Sequence, residues 1–508
     1  MEVEKELDEL LSRGVRQYVV CGGARNAPLI QWLSQLDSVE VYSHFEERGA
    51  GFFALGRTMV TGEPCAVVVT SGTAVAELLP AIVEAHYQNR PLIVISADRP
   101  ERFRGSGAPQ AIEQENIFGP YAEKRISFWN GQSPLHLNLP LEEQTTIETS
   151  ALLEHYVAPR STFSVVSLAQ WLQQGIFKGL VVLVGGLDEQ DREEVFYFCQ
   201  NLGAPVLADA TSGIREALGD LALVHGDRIL AKNPPGKVLR IGEVPVGRFW
   251  RDLEDLPEVE VFSISRTGFT GLARESQIIT GEPARVIRGL GEIDEIGDVL
   301  EHLPLGRRSE NRSDELLEAY PDSEPALVRE LSLYATQADS VYLGNSLPIR
   351  EWNDFAQRAQ PITLVRACRG ANGIDGQLSA WLGTSVEEGK AWGLFGDLTT
   401  FYDLAAPHLL SQVQSEERYL VVINNGGGRI FERLPRLASL REPARQWMTT
   451  PHDHSLQHWA AMWNLQYCRI RCREDFDQLE GREPGTTVVE LVPHSKQTEK
   501  FWNDWTTE

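Results

Sequence analysis

Short β-rich apolar runs along the chain repeatedly stop at a cluster of Gly, Asn, Asp or Ser and then give way to a helical pattern. Gln17–Val20 precedes Cys21-Gly22-Gly23, Cys65–Val69 precedes Thr70-Ser71-Gly72, and residues 92–95 precede Ser96-Ala97-Asp98. This alternation predicts βαβ units and parallel sheets. A further strand is expected at 39–42. A second group is expected at 180–184, 205–207, 237–241 and 259–263, and a third at 340–343, 362–365, 391–395, 420–423 and 487–491. The charged, proline-containing stretch 305–325 reads as a linker. The expected fold is therefore α/β, three domains with mainly parallel sheets, divided at 1–157, 158–310 and 311–508. Trp459, Trp463 and Tyr467 have helical spacing and read as core packing.

Composition narrows the class. The 508 residues are 42% hydrophobic and 23% charged, enough for several cores. Lys and Arg number 47 against 72 Asp and Glu, a formal charge of −25, which argues against nucleic acid or an anionic membrane as partner. An anionic substrate would need its own local cations, so arginines in loops carry weight. No apolar run reaches the roughly 18 residues of a membrane span, and the opening MEVEKELDELL is acidic and helical, without signal-peptide character. The six cysteines form no Cys-x-x-Cys pair and suit free thiols in a reducing cytosol. A cytoplasmic location without membrane insertion is the expectation.

In sheets of this kind ligands sit at the carboxyl ends of strands. Gly396-Asp397-Leu398 follows one apolar strand. A helical stretch at 399–412 and a second strand then deliver Asn424-Asn425-Gly426-Gly427-Gly428. Either loop alone is a common turn composition. On one βαβ crossover they leave the same sheet edge, so Asp397 and Asn425 can share an ion. Magnesium takes hard oxygen ligands and keeps phosphate oxygens among them, and the glycines allow the backbone to approach those phosphates. In the first domain, His44-Phe45-Glu46-Glu47-Arg48-Gly49-Ala50-Gly51 opens a helix, with small residues at 49, 50, 51 and 54 making a face for close packing. Taken alone, Glu47 reads as an ordinary helix-start glutamate.

His-Phe-Glu-Glu-Arg-Gly (44–49), Thr-Ser-Gly-Thr-Ala-Val-Ala (70–76), Ser-Ala-Asp-Arg-Pro (96–100), Gln-Ala-Ile-Glu-Gln (110–114), Gly-Asn-Ser-Leu-Pro-Ile-Arg (344–350), Arg-Gly-Ala-Asn-Gly-Ile-Asp-Gly (369–376), Asn-Asn-Gly-Gly-Gly-Arg-Ile-Phe (424–431) and Thr-Pro-His (450–452) together resemble the thiamine-diphosphate-dependent enzymes. Within them the chain resembles the menaquinone-pathway synthases that make 2-succinyl-5-enolpyruvyl-6-hydroxy-3-cyclohexene-1-carboxylate. The likeness covers the first and third domains nearly end to end and is thin in the middle one, apart from residues 241–248. It implies pyrimidine-binding, central and diphosphate-binding domains, thiamine diphosphate with Mg2+ (Mn2+ as a substitute), and a transferase. That transferase would decarboxylate 2-oxoglutarate and add the succinyl carbanion equivalent to isochorismate. It further implies a homodimer or homotetramer with active sites at subunit interfaces.

By the same resemblance, Glu47 would activate the cofactor through its pyrimidine ring. Asp397, Asn425 and the Gly427 carbonyl would hold the metal, and Ile374 would wedge the cofactor into its bent form. Ser71, Asn345, Gly396, Leu398, Ile430 and Phe431 would contact the cofactor. Gln110 would lie beside the reacting centre, and Arg25, Arg99, Arg248, Arg350 and Arg369 would bind substrate carboxylates, which suit guanidinium forks. The family usually has Ser-Arg-Ser where this chain has Ala24-Arg25-Asn26; Asn26 could replace one hydrogen bond to substrate, and Ala24 cannot. Two other readings stand beside this one: another carboligase or decarboxylase of the acetohydroxyacid-synthase type, and a catalytically silent subunit on the same fold. His452, His454 and His458 read as capping or surface residues rather than a zinc site. Gly185-Gly186 resembles a nucleotide-binding turn without the full glycine fingerprint.

Overall fold

The computed structural model describes residues 2–142, 145–148, 162–174, 178–362, 364–414, 416–434, 437 and 439–506. The boundary expected at 157–158 lies outside the described residues. The chain forms two compact units. One comprises Met1–Arg160, Gly370–Glu387 and Thr399–Ser415, the other Ser161–Arg369, Glu388–Leu398 and Glu416–Glu508. Among the described residues no helix is long and apolar enough to cross a membrane.

The first unit holds a sheet of β1 (Gln17–Val20), β2 (Glu40–Ser43), β3 (Cys65–Val69), β4 (Leu92–Asp98) and β5 (Leu135–Pro140), ordered β2-β1-β3-β4-β5. The second unit holds two sheets. One runs β10-β9-β8-β6-β7, from β6 (Leu180–Val184), β7 (Val206–Ala208), β8 (Lys237–Ile241), β9 (Glu260–Ser265) and β10 (Gln277–Thr280). The other runs β12-β11-β13-β14-β16-β15, from β11 (Ser340–Leu343), β12 (Leu364–Arg366), β13 (Lys390–Gly396), β14 (Glu417–Ile423), β15 (Gln466–Ile470) and β16 (Gly485–Leu491). Every strand pairing described is parallel. The α/β class with parallel sheets is as expected. Central strands such as β3 and β6 are buried along their whole length, which is why they read as unbroken apolar runs.

Three strands were not anticipated, β5, β10 and β15, and each lies at a sheet edge. Polar residues interrupt β5, as in Leu135-His136-Leu137-Asn138-Leu139, and β10 and β15 hold only short apolar stretches beside polar residues, so all three lack the continuous run. Two expectations are corrected. The stretch read as a linker is helical, His302–Ala319 followed by Glu324–Tyr334, with Pro304 and Pro325 in first turns, where proline costs no hydrogen bond. Leu316 then packs on Phe355, Phe501 and Trp505. Trp459, Trp463 and Tyr467 share no core helix: the helix ends at Met462, Tyr467 belongs to β15, and all three are half-buried.

In each sheet the chain runs outward in one direction and then returns to the other side of its starting strand, which leaves a crevice at the carboxyl ends of two neighbours. These crevices lie between β1 and β3, between β11 and β13, and between β6 and β8. The third is filled. Glu243 packs its backbone and carboxylate against Gly185 and Gly186, and its N–H donates to the Gly186 carbonyl at 3.1 Å. An acid standing on the Gly-Gly turn disfavours a phosphate there.

In the first unit, helix Glu47–Thr61 lies directly against helix Gln377–Thr384, as the small residues suggested. A Cβ on Gly56 would fall inside contact distance of the Ala380 carbonyl oxygen, and one on Gly383 would meet the Phe53 carbonyl oxygen. Gly56→Ala should therefore lower unfolding stability by ~1–3 kcal/mol, measured by urea denaturation, although alanine has the better helix propensity.

Candidate active site

The candidate residues fall on both units, mostly in segments that follow strands. In the first unit, the loop after β1 is closed by Asn26. This side chain is fully buried. Its Oδ1 accepts from the Gly23 N–H at 2.9 Å, and its Nδ2 donates to the Cys21 and Val68 carbonyls at 2.8 and 3.4 Å. The substrate contact expected of Asn26 is corrected on that ground: its hydrogen bonds fasten the loop. Arg25, next to it, is half-buried and donates to the Leu141 carbonyl at 3.1 Å. Across the crevice Ser71 is buried, and Gly72 adopts a positive φ with Gln110 packed against it.

Gln110 is exposed and also has a positive φ of 58°, an uncommon conformation for a residue with a side chain. Arg99 anchors that loop by donating from Nε to the Pro109 carbonyl at 2.9 Å. Gln114, which had no assigned role, is buried. It accepts the Gly72 N–H at 3.1 Å and donates to Asn138 Oδ1 at 2.8 Å and the Ala97 carbonyl at 3.1 Å. It thereby ties the Ser71–Gly72 turn to β4 and β5.

Glu47 opens its helix but does not cap it. Glu46 is the capping residue, accepting the Arg48 and Gly49 N–H groups at 3.2 and 2.8 Å, and its own N–H donates to His44 Nδ1 at 2.8 Å. Glu47 is thus released from the helix-start role. Burial pushes its carboxyl above the usual carboxylate range, against its own backbone N–H and with help from Glu46 and Glu77.

The loop carrying Ile374 has a fastening that nothing in its own sequence announces. Glu84, on helix Leu79–Gln88 and buried, accepts the N–H groups of Gly370 at 2.6 Å, Ala371 at 2.7 Å and Asn372 at 3.2 Å. Ile374 is half-buried just beyond them.

In the second unit, Gly396 on β13 is in register with Ile423 on β14, so Asp397 and the Asn424–Gly428 loop emerge together. Asp397 is buried, and its Oδ2 accepts the Gly426 and Gly427 N–H groups, both at 2.9 Å. Its Oδ1 accepts from the Leu398 N–H at 2.6 Å. Burial nevertheless raises this carboxyl, although those N–H groups and the His452 ring pull it down. His452, read as a capping or surface residue, instead sets Nε2 3.1 Å from Asp397 Oδ2. Asn425 has a buried Oδ1 with no hydrogen-bond partner among the described residues. Gly427 has φ of +126°, and a Cβ there would meet the Thr449 carbonyl oxygen. A buried carboxylate and an orphaned amide oxygen suit a hard divalent cation, and the glycine turn, whose Gly426 and Gly427 N–H groups are taken by Asp397 and whose Gly428 N–H is taken by the Thr449 carbonyl, leaves room for phosphates to approach.

Asn345, after β11, is buried and bridges Arg369 Nη1, which donates at 2.9 Å, to the Cys368 carbonyl at 2.9 Å. Arg350 and Arg248 line one cavity of about 370 Å³ together with Arg251, Leu347, Ile430 and Leu434. Burial, with Arg369 and Arg251 nearby, pulls the Arg350 guanidinium down to about 10. Arg251 was not anticipated. Two buried acids shape the same cavity: Asp209 accepts the Val246 N–H at 2.8 Å, and Asp227 accepts the N–H groups of Arg248 at 2.8 Å and Phe249 at 3.1 Å. Phe431 lines a separate cavity of about 540 Å³ with Asn425 and Glu324. Ile430 and Phe431, neighbours in sequence, thus face different spaces.

Glu84→Ala would remove the acceptor of three part-buried N–H groups, charge-assisted bonds of about 1.5–3 kcal/mol each before water replaces part of them. The expected result is a loss of about 3 kcal/mol or more in unfolding stability by chemical denaturation, with Glu84→Gln losing less.

Residues 1–117 match the family model described as thiamine pyrophosphate enzyme, N-terminal TPP binding domain. The chain is 47% identical to a 2-succinyl-5-enolpyruvyl-6-hydroxy-3-cyclohexene-1-carboxylate synthase of Akkermansia muciniphila, over 96% of this chain and 95% of that one. It is 38% identical to the synthase of the same name from Bdellovibrio bacteriovorus, over 99% and 97%. A Mycobacterium smegmatis chain solved by X-ray and described as a candidate thiamin diphosphate-dependent enzyme superposes with a TM-score of 0.71. That match covers 96% of this chain and 98% of that one at 15% identity, a likeness of fold alone. On this similarity the chain belongs to the 2-succinyl-5-enolpyruvyl-6-hydroxy-3-cyclohexene-1-carboxylate synthase family of thiamine pyrophosphate enzymes.

Proposed function

We propose that this chain performs the reaction of its named relatives in menaquinone or phylloquinone biosynthesis. It would decarboxylate 2-oxoglutarate and join the resulting four-carbon unit to isochorismate. Bound thiamine diphosphate supplies a carbanionic carbon that adds to a 2-oxo acid and takes up the electron pair left when carbon dioxide departs. The observation that carries the substrate assignment is the crowding of Arg350, Arg369 and Arg251. Burial first, then Arg369 and Arg251, depress the Arg350 guanidinium, a cost that an anionic ligand relieves, and a carboxylate accepts forked guanidinium donors in pairs.

The chain's own groups divide the work. Asp397, the Asn425 amide oxygen and the Gly427 carbonyl would hold Mg2+, with Mn2+ able to replace it, and the Gly426–Gly428 turn would meet the diphosphate. Glu47, freed from capping and with its proton affinity raised by burial, would hold a proton against the pyrimidine ring. Ile374, on the loop fastened by Glu84, would set the cofactor's bend, and Ser71, Asn345, Gly396 and Leu398 would line its place. Arg350, Arg369 and Arg248 would take substrate carboxylates, with Arg25 and Arg99 doing so from the first unit and Gln110 beside the reacting carbon. Ile430 and Leu434 give the arginine cavity an apolar wall, which strengthens charge pairing by excluding water. The chain would act in the cytoplasm as a homodimer or homotetramer with sites at subunit interfaces.

The test is isochorismate consumption by the purified chain with thiamine diphosphate and Mg2+, with 2-oxoglutarate or pyruvate as donor. Consumption with 2-oxoglutarate alone is expected; consumption with pyruvate alone contradicts the donor assignment. In the same assay Glu47→Gln should lower kcat by at least 100-fold, the scale of acid–base contributions, while still binding cofactor. Near-normal turnover in that variant would remove Glu47 from the proton-holding role.

A further inference from the structure

The two ends of the Asn425 amide are treated differently. Nδ2 donates to Glu324 Oε1 at 2.9 Å, whereas Oδ1 is buried with no hydrogen-bond partner among the described residues. Turning the amide by half a revolution barely changes its shape, so packing alone does not choose between the two orientations. A carboxylate accepts only, so Glu324 selects the NH2 end and leaves the oxygen pointing elsewhere.

Glu324 is well placed to impose that choice. It is 2% exposed, and it opens a helix capped by Ser323, whose Oγ accepts from the Ala326 N–H. Its own N–H donates to Thr498 Oγ1 at 3.0 Å. Its Oε2 lies 3.5 Å from Arg433 Nη2, while Arg433 Nη1 donates to Glu351 Oε1 at 2.7 Å. Arg433 in turn is stacked over the Trp502 ring, 4.1 Å from its centroid. Two buried carboxylates thus share one guanidinium. The Glu324 carboxylate pairs with Arg433, shares a side-chain hydrogen bond with Glu351, and accepts from the Asn425 amide.

We propose that Glu324 is a positioning residue, whose carboxylate fixes the Asn425 amide so that Oδ1 and not Nδ2 is presented to the cation held at Asp397. The inference rests on the proposed role of Asn425 as a metal ligand. An NH2 group turned to a divalent cation repels it, so losing the selector weakens metal binding without removing any ligand. Arg433 extends the same network to Glu351, the residue following Arg350 of the arginine cavity.

The experiment uses the full chain with thiamine diphosphate and follows the cofactor-dependent rise in melting temperature as MgCl2 is titrated, so that turnover is not the readout. Glu324→Ala, which leaves Arg433 paired with Glu351, should raise the Mg2+ concentration for half the shift roughly tenfold, the scale of outer-shell substitutions. Glu324→Gln, which keeps the shape but can rotate its own amide, should raise it by a smaller factor, and it carries the test if the alanine variant does not fold. Asn425→Ala should raise the requirement at least as far as Glu324→Ala, and the double variant should match Asn425→Ala alone. An unchanged requirement in the Glu324 variants beside a raised one in Asn425→Ala overturns the positioning role, and so does simple additivity in the double variant. An unchanged requirement in Asn425→Ala overturns the metal assignment itself, and the inference with it.

Discussion

Backbone N–H groups converge on a buried or half-buried carboxylate at several of the loops that carry candidate residues. Asp397 gathers Gly426 and Gly427, Glu84 gathers Gly370, Ala371 and Asn372, Asp227 gathers Arg248 and Phe249, and Glu46 gathers Arg48 and Gly49. A loop at a sheet edge has unpaired N–H groups and no ladder to satisfy them. A carboxylate accepts several at once, in charge-assisted bonds about twice as strong as neutral ones. Several of the side chains that would meet cofactor and substrate project from loops held in this way, while the loops of Arg25 and Ser71 are held by the amides of Asn26 and Gln114.

The same device sets the electrostatics. Acids held on backbone N–H groups leave the guanidinium donors of nearby arginines without a direct ion pair to them, although Asp227 still acts on Arg350 through space. Asp227 holds the backbone of Arg248, not its guanidinium, and Arg350 stays crowded by Arg369 and Arg251. At the Asp397 loop the balance is reversed: a buried carboxylate, with the His452 ring beside it, and an orphaned amide oxygen stand on neighbouring loops. The two regions are complementary to different ligands, one to carboxylates and one to a hard metal with its phosphate.

Much of this was legible along the chain. Central strands are covered on both faces and appear as apolar runs, and the polar loops after them marked Asp397 and Asn425, whereas Ser71 and Asn345 came from the family resemblance. Edge strands β5, β10 and β15 were hidden by the polar residues in them, and helix His302–Ala319 was masked by charge and an early proline. Glu84, Gln114, Glu324 and His452 could not be found in this way, because each acts on a partner far along the chain; Glu84 meets Gly370 across 286 positions. Asn26 failed for the opposite reason. Its polar character suggested a ligand contact, but the side chain is fully buried and turns both its N–H groups and its Oδ1 on backbone groups around the turn it closes. Local pattern reports where a loop will be, whereas the groups that hold it come from tertiary packing.

The most direct test of this account is a crystal structure of the chain grown with thiamine diphosphate and Mg2+, read for the ion's ligands. The account predicts metal density bonded to a carboxylate oxygen of Asp397, Oδ1 of Asn425 and the carbonyl oxygen of Gly427, with diphosphate oxygens completing the shell at about 2.0–2.1 Å. Cofactor density with its metal on other residues, or with Asn425 Oδ1 turned away from the ion, would contradict it.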